Sequence, residues 1–266
     1  MFLETIVKNK KAELVDLKRE EPLELLKERM YESPPVRDFK GALRTSSAAG
    51  DTATTRIIAE VKKASPSKGI IREDFNPVEL ACAFEENGAV ALSVLTDKKY
   101  FQGNIDYLAS IKPATGIPLL EKDFIVDPYQ IYHARLYGAD AVLLIAAILT
   151  DDLLADYLAL TEELGLSALV EVHTLDELQR VLPLNAPIIG INNRNLTTFE
   201  VTTKTSYELI TYIPEGTIVV SESGIDSRKE ITSLRDRGVD AFLIGEALMK
   251  EPDAGKIVGK LFTHYC

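Results

Sequence analysis

The chain has 266 residues, with 30 lysines and arginines against 41 aspartates and glutamates, so its formal net charge is −11. A content of 46% hydrophobic and 27% charged residues is globular and excludes disordered or collagen-like chains, and the length allows two small domains or one large barrel. The negative charge disfavours nucleic acid and anionic membranes, so we expect neither as a partner.

The first predicted element is a helical extension at the amino terminus. Ile6, Val7, Leu14 and Leu17 recur among charged residues in a helical pattern that runs to about residue 30. Residues 45–55 (TSSAAGDTATT) are small and polar, which is typical of a loop. We therefore expect a helical extension over residues 1–45 that precedes the main body of the fold.

From residue 57 onward, short apolar runs rich in β-branched residues alternate with helical patterns. This alternation is typical of successive βα units and a parallel sheet. Eight units in about 210 residues match a closed (β/α)8 barrel, so we predict a TIM barrel over residues 56–266, in one α/β domain with the extension. The predicted strands are Ile57–Val61, Ala91–Leu95, Pro118–Ile125, Ala141–Leu149, Ala168–Val172, Ile188–Asn192, Thr217–Ser221 and Ala241–Ile244.

An open, doubly wound parallel sheet is the structural alternative to the barrel. Such a sheet usually has fewer strands and carries a glycine-rich phosphate turn after its first strand. No G-x-G-x-x-G or Walker sequence follows Val61, which favours the barrel.

Capping patterns mark the helices between the predicted strands. A polar side chain before proline, or a Ser/Thr followed three residues later by Glu, is typical of a helix start, and glycine is typical of a helix end. The predicted starts are Asn76, Asp127, Thr174 and Ser227, and the predicted ends are Gly88, Gly138, Gly165 and Gly238.

Charged and polar residues recur where the predicted strands end. Barrel active sites lie at the carboxyl ends of the strands, and every second strand residue points inward. Glu60 and Lys62 are two residues apart and therefore share the inward face, where a salt bridge within the barrel is the structural alternative to a catalytic role. Further strand ends supply Lys122 on the third strand, Glu171 on the fifth, Asn192 and Arg194 on the sixth, and Glu222 and Ser223 on the seventh.

A family resemblance begins in Ile58–Ile70, which reads IAEVKKASPSKGI and is similar to the signature of the indole-3-glycerol phosphate synthase family. The helical extension also fits this family, as do the stretches LTDKKYFQGN, LLEKDFIVDPYQI, ALVEVHTLDEL, IIGINNRNLTTFEV, SESGI and FLIGEALM, in this order. Glu121, Asn104 and Thr202 depart from the family pattern, and none of them is a predicted catalytic position.

The resemblance implies a carbon–carbon lyase of tryptophan biosynthesis. Its reaction closes 1-(2-carboxyphenylamino)-1-deoxyribulose 5-phosphate to indole-3-glycerol phosphate with loss of carbon dioxide and water, which requires acids and bases but no redox step. The resemblance implies that Lys122 is the general acid, Glu171 the acid/base in dehydration and Glu60 a proton-transfer or electrostatic partner. It implies that Lys62 holds the substrate carboxylate and shares acid duty, so the choice between the two lysines stays open. Asn192 is implied to orient the substrate hydroxyls.

The loops after the seventh and eighth predicted strands are expected to hold the phosphate. Barrels bind phosphate there through backbone N–H groups and a short helix, and glycine permits close approach. Each dipeptide alone, Ser223-Gly224 or Gly245-Glu246, is more often a plain turn, but their paired position and the family resemblance favour a site. Ser223 is also counted with the catalytic residues. The expected substrate-binding residues are Ser65, Phe124 against the anthranilate ring, Arg194, Glu222, Gly224, Gly245 and Glu246.

Two other functions compete with this interpretation. A sugar isomerase of the same pathway would use a proton-shuttling pair without a carboxylate clamp like Lys62, and the EVKKASP segment disfavours it. A non-catalytic barrel would have lost at least one of four residues, all of which the chain retains. These are Glu60, Lys62, Lys122 and Glu171.

The histidines give no sign of a metal site, because the chain has no H-E-x-x-H or similar ligand spacing. We expect His133 and His264 to be solvated. For His173, which follows Glu171 closely, an approach to the site is the alternative to a role at the entry to a helix, and we expect the latter. No metal or cofactor is therefore expected.

The cysteines and the apolar runs indicate the compartment. Cys82 and Cys266 cannot supply a disulfide framework, and charged residues occupy the amino terminus where a signal peptide needs an apolar core. The longest apolar run, Ala141–Leu149, is about half of the roughly 20 residues that a membrane-spanning helix requires. We expect a cytoplasmic protein with a phosphorylated small molecule as its partner. The sequence leaves the oligomeric state open, with a monomer as one option.

Overall fold

Eight parallel strands close into a barrel in this computed structural model, which describes residues 2–44, 55–250 and 253–262. Each strand pairs with its neighbours in chain order, and the first pairs with the last, so the predicted TIM barrel is confirmed. The strands are β1 Arg56–Val61, β2 Ala91–Leu95, β3 Leu119–Lys122, β4 Ala141–Ile145, β5 Ser167–Val172, β6 Ile188–Asn192, β7 Ile218–Glu222 and β8 Ala241–Ile244.

The predicted and observed strands differ mainly at their ends. The run Ala141–Leu149 is extended only to Ile145 and continues as the 3-10 turn Ala146–Ile148, because apolar composition indicates burial rather than backbone conformation. Strand β3 is shorter than its predicted run, and β7 is shifted by one residue so that Glu222 lies within the strand. A short antiparallel hairpin after β1, Ala64–Ser65 with Gly69–Ile70, was not predicted.

The helix boundaries follow the predicted capping residues. Side chains of the four predicted caps accept hydrogen bonds from backbone N–H groups of the first helical turn, and the four predicted glycine ends have positive φ. The helices are α1 Phe2–Glu20, α2 Leu23–Glu28, α3 Phe39–Leu43, α4 Pro77–Glu86, α5 Lys98–Phe101, α6 Asp106–Ile111, α7 Pro128–Leu136, α8 Asp151–Glu163, α9 Leu175–Val181, α10 Lys204–Leu209, α11 Arg228–Arg235, α12 Glu246–Met249 and α13 Ala254–Phe262. Further 3-10 helices are Arg29–Glu32, Leu182–Leu184 and Ile210–Tyr212.

Alternate residues of each strand point to opposite sides of the barrel wall and belong to two different apolar layers. Ile57, Ala59 and Val61 pack outward against the helices, whereas Ile58 belongs to the cluster inside the barrel. The same alternation continues the inward row from Ile58 to Glu60, so a charged side chain follows the buried apolar one toward the carboxyl end. The barrel is therefore apolar in its interior and polar at one rim.

The extension is helical, as predicted, and α1 lies over the barrel. Ile6, Lys10 and Leu14 form its buried face. Residues 45–54 lie outside the described residues, so the division into residues 1–45 and 56–266 stays a prediction. No helix in the described ranges is long and apolar enough to cross a membrane.

A buried ion cluster joins α1 to the barrel. Lys10 Nζ lies 2.8 Å from Asp97 Oδ2 and 2.9 Å from Asp123 Oδ1, and these carboxylates follow β2 and β3. The hydroxyl of Thr96 lies 3.2 Å from Glu121 Oε1 and 3.0 Å from Asp123 Oδ2. We refer to Lys10, Asp97, Glu121 and Asp123 as the Lys10 cluster.

One histidine differs from expectation. His133, predicted to be solvated, is 7% exposed, and its ring packs against Tyr129 on α7 and against Tyr137, which follows α7. Burial lowers the pKa of His133 to about 4. His264 lies outside the described residues.

Candidate active site

A pocket of about 760 Å³ opens at the carboxyl ends of the barrel strands. This is the end at which TIM-barrel enzymes carry their active sites. The pocket wall contains every predicted site residue except Ser65: Glu60, Lys62, Lys122, Phe124, Glu171, Asn192, Arg194, Glu222, Ser223, Gly224, Gly245 and Glu246.

Ser65 does not line the pocket. It lies in the hairpin after β1, where it pairs with Gly69 and is partly exposed. The turn from Ser65 to Gly69 was not predicted from the sequence.

Four of the charged residues form one layer inside the barrel. They come from the four odd-numbered strands, which is how TIM barrels build each layer of inward side chains. Lys122 Nζ lies 2.9 Å from Glu171 Oε2 and 3.3 Å from Glu222 Oε2, and we refer to these three residues as the Lys122 cluster. The fourth member of the layer, Glu60, forms an ion pair with Lys62.

In the Lys122 cluster, burial and the neighbouring charges shift the pKa values of the two carboxyl groups in opposite directions. Burial lowers the pKa of Lys122, but Glu171 and Glu222 outweigh burial and raise it. Burial alone would raise the pKa of Glu171, yet Lys122 and His173 together hold it well below its usual range. Burial raises the pKa of Glu222 to about 8, because the attraction of Lys122 is opposed by the repulsion of Glu171. One carboxylate is therefore ionised near neutral pH while the other retains a proton.

The pair of Glu60 and Lys62 combines both interpretations of the sequence. The two side chains form the ion pair that was the structural alternative, and both also line the pocket. Their side chains are 8% and 14% exposed, so the pair is shielded but open to a ligand.

Two glycines give carboxylates their space. Gly245 was expected to allow approach of a phosphate, but its φ is −127°, and an added Cβ would overlap Oε2 of Glu60. An added Cβ at Gly190 would likewise overlap Oε1 of Glu222. The sequence analysis missed Gly190, whose only signal was a glycine inside a β-branched strand.

The loops after β7 and β8 form the other end of the pocket. Ser223 and Gly224 both have positive φ, 64° and 74°, so the chain turns sharply where it leaves β7, and backbone N–H groups in turns can form anion-binding concavities. Glu246 Oε1 lies 2.7 Å from Lys250 Nζ, and Glu246 Oε2 lies 3.5 Å from Arg194 Nη2. The hydrogen bond from Lys250 lowers the pKa of Glu246. Lys250 was not predicted, because it lies at the far end of α12, one helical turn beyond Glu246.

An apolar wall lies among these polar groups. Phe124 follows β3, and its ring centroid is 6.2 Å from that of Phe101 on α5. Leu95, Leu143 and Leu196 also line the pocket. The sequence analysis missed Phe101, although it lies in the LTDKKYFQGN stretch that supported the resemblance.

The described residues contain no group of three or more His, Cys, Asp or Glu that could hold a metal ion. Asn192 lies at the end of β6, and its side-chain Oδ1 accepts a hydrogen bond from the backbone N–H of Arg194 at 3.0 Å. This contact fixes the amide at the rim of the pocket.

Comparison with known proteins supports the resemblance found in the sequence. The family model described as "Indole-3-glycerol phosphate synthase" matches residues 3–261. Proteins of that name from Variovorax paradoxus and Burkholderia ambifaria are 47% identical over 265 residues and 48% identical over 261 residues, in each case with 98% of both chains covered.

Structural comparison supports the barrel. The N-acetylmannosamine-6-phosphate 2-epimerase from Clostridium perfringens aligns with a TM-score of 0.56 and 16% identity, over 74% of this chain and 89% of that one. At this identity the likeness concerns the fold alone. Sequence similarity over nearly the whole length, together with the predicted residues gathered in one pocket, decides the family: the chain belongs to the indole-3-glycerol phosphate synthase family of decarboxylating lyases.

Proposed function

We propose that this pocket carries out the reaction for which the family is named, the ring closure of 1-(2-carboxyphenylamino)-1-deoxyribulose 5-phosphate to indole-3-glycerol phosphate. The observation that carries the proposal is the Lys122 cluster, in which the lysine ammonium lies 2.9 Å and 3.3 Å from two carboxylates that line the same pocket. A protonated and an ionised group within reach of one ligand are what sequential acid and base steps require.

The two ends of the pocket suit the two ends of this substrate. The apolar wall at Phe124 and Phe101 takes the anthranilate ring, and the ammonium of Lys62 holds its carboxylate. Backbone N–H groups at Ser223 and Gly224 take the phosphate, with help from the first turn of α12. Asn192 orients the hydroxyls between them.

In the first step, the ring carbon that bears the carboxylate attacks the ketone carbon. The ketone π-electrons move to oxygen, which takes a proton from Lys122 and becomes a hydroxyl group. Carbon dioxide then leaves, and the electron pair of its bond to carbon returns to the ring. The ion pair with Glu60 opposes the charge of Lys62 until the substrate carboxylate is bound.

In the second step, the new hydroxyl group leaves as water. A proton reaches the departing oxygen, and the CH2 carbon bonded to nitrogen loses a proton. The electron pair of that C–H bond forms the indole double bond, and the nitrogen keeps its hydrogen. Glu171 is the acid/base partner in this dehydration, since its Oε2 lies 2.9 Å from Lys122 and the two can exchange a proton. Glu222, which also pairs with Lys122, contacts the substrate next to this lysine. Carbon dioxide and water are the only groups lost, so no oxidant or reductant takes part.

The experiment is an assay of the purified full-length chain with this substrate. We expect an increase in indole absorbance and fluorescence with release of one carbon dioxide per product, undiminished after dialysis against EDTA. A folded protein that forms no indole product would contradict the proposal, and loss of activity after dialysis would reveal a metal site that we do not assign.

We also infer that a phosphorylated small molecule is the partner of this chain and that it acts in the cytoplasm. The net charge of −11 supports this, because it disfavours anionic polymers and membranes. Cell fractionation tests the location, and light scattering of the purified chain measures the oligomeric state.

A further inference from the structure

His173 lies within ion-pair distance of two carboxylates at the edge of the candidate site. Its Nε2 lies 3.2 Å from Oε1 of Glu171, and its Nδ1 lies 3.2 Å from Oε2 of Glu177. The side chain is 8% exposed. The sequence analysis favoured a position at the entry to a helix over an approach to the site, and the structure shows both: the residue precedes α9 and its ring lies against Glu171.

Glu177 is anchored in the first turn of α9. The backbone N–H of Glu177 donates to Oγ1 of Thr174 at 3.2 Å, in the predicted capping box. The carboxylate of Glu177 also accepts a hydrogen bond from the backbone N–H of His173 at 2.7 Å. The imidazole is therefore held by a helix terminus rather than by a free loop.

We propose that His173 is a positioning residue for Glu171: anchored on Glu177, its ring holds Oε1 of Glu171 so that Oε2 faces Lys122. This inference rests on the proposed function, in which Glu171 is the acid/base of the dehydration. Each oxygen of the Glu171 carboxylate then has one cationic neighbour, His173 on one side and Lys122 on the other. His173 does not line the pocket, so it acts through Glu171.

The charges around the ring support a doubly protonated imidazole. Burial lowers the pKa of His173, but Glu171 and Glu177 outweigh burial and raise it to about 10. A neutral imidazole has one N–H and would turn a lone pair toward one of the two carboxylates. The charged groups nearby are Glu171 on β5, Glu177 on α9, and Lys122 and Glu222 across the barrel.

Nuclear magnetic resonance of the full-length chain tests these contacts of His173 without turnover. The chain has three histidines, and the variants His173→Gln and His133→Gln assign the ring signals. We expect both ring nitrogens of His173 to stay protonated from pH 6 to pH 8.5, while buried His133 stays neutral over this range. A His173 ring that loses its proton near its ordinary pKa of 6.5 would overturn the proposal.

Kinetics test the consequence for Glu171. We expect His173→Gln to lower kcat by about tenfold and to change KM by less than about twofold, because a positioned proton transfer is disturbed while the binding groups remain. The acid limb of the kcat profile should move to higher pH, since Glu171 loses a neighbouring positive charge. Glu177→Gln should act in the same direction, and His133→Gln is the matched control with parental values.

The role of Glu171 in the reaction and the positioning role of His173 can be tested separately. If Glu171→Gln retains parental turnover, the assignment of Glu171 is wrong and the positioning proposal falls with it. If Glu171→Gln is inactive but His173→Gln and Glu177→Gln keep the parental kcat and acid limb, the positioning proposal alone is overturned. Should His173→Gln fail to fold, Glu177→Gln and the nuclear magnetic resonance titration of the parent chain decide the matter.

Discussion

The Lys122 cluster and the Lys10 cluster contain nearly the same chemical groups. In each, a buried lysine pairs with two carboxylates, and a carboxyl group in each has its pKa raised to about 8. These groups are Glu222 in the first cluster and Glu121 in the second, and burial is the main cause for both. The two clusters differ in which elements they connect.

The partners of Lys122 all lie on barrel strands, which backbone hydrogen bonds hold in place whether or not the ion pairs form. Lys10 lies on α1 and joins this helix to the segments after β2 and β3. Glu121 and Lys122 are adjacent in the chain but belong to different clusters. Lys122 faces the barrel interior, whereas Glu121 faces Thr96 and Asp123. Buried charge alone therefore does not identify a catalytic group. A cluster whose members all lie on barrel strands is a candidate for chemistry, whereas a cluster that joins α1 to the barrel serves to dock the helix.

The largest expected effect is on turnover when the first cluster loses its cation. We expect Lys122→Met to lower kcat by at least about 100-fold, because a positioned proton donor is typically worth 10² to 10⁴. Steady-state assays at saturating substrate measure this. The matched control is Lys112→Met, which breaks a buried ion pair with Asp140 outside the pocket and should keep kcat within about threefold of the parent. Equal losses in both variants would contradict the assignment.

The second prediction concerns stability and the second cluster. Lys10→Met leaves Asp97 and Asp123 buried without their cation, and breaking such a pair costs about 3 kcal/mol. We expect the free energy of unfolding to fall by about that amount in urea titrations followed by circular dichroism. Lys11→Met, on the exposed face of α1, is the control. An unchanged urea midpoint for Lys10→Met would show that the cluster does not hold α1.

A smaller effect follows from the raised pKa of Glu121. The folded chain keeps this proton at pH values where the unfolded chain has lost it, so stability falls as the pH rises from about 4.5 to about 8. Glu121→Gln removes this loss, and we expect the variant to be more stable than the parent by at least about 1 kcal/mol at pH 8, with less difference at pH 5. Glu215→Gln, at an exposed site, controls for loss of one charge. A gain that does not depend on pH would contradict the explanation.

The smallest prediction lies at the phosphate end of the pocket. The carboxylate of Glu246 now pairs with Lys250 and would repel a bound phosphate. We expect Glu246→Gln to lower the inhibition constant of inorganic phosphate by about two- to fivefold, the scale of one partly exposed charge. Parental inhibition by phosphate in this variant would mean that the anion binds elsewhere on the barrel rim.

Local pattern was enough to predict the barrel and most of its inward charges. Side chains alternate between the two faces of a strand, and eight βα repeats indicate a barrel, so the sequence predicts that Glu60 on β1 points inward. The same rule predicts Lys122 on β3 and Glu171 on β5. These positions depend on residues within a few places along the chain. The family resemblance then supplied what geometry cannot, namely the proposed substrate.

Contacts between distant segments were not predictable in this way. Lys10 and Asp123 are 113 residues apart, and no local rule pairs them. The sequence pattern also gave no sign that Ser65 lies in a hairpin, or that Gly245 leaves room for the carboxylate of Glu60. His173 shows the same limit, because its place between Glu171 and the start of a helix was readable, while the contact of its ring with Glu171 depends on side-chain direction.

The most direct test of the division between the two clusters is kcat of Lys10→Met at saturating substrate, at a temperature where circular dichroism shows the variant fully folded. We expect a value within about threefold of the parent, because the Lys122 cluster keeps all its members and the change removes only the cation beside Asp97 and Asp123, the latter at the pocket wall. A loss of about 100-fold in the folded variant, equal to that expected for Lys122→Met, would contradict the account and show that the two clusters act as one.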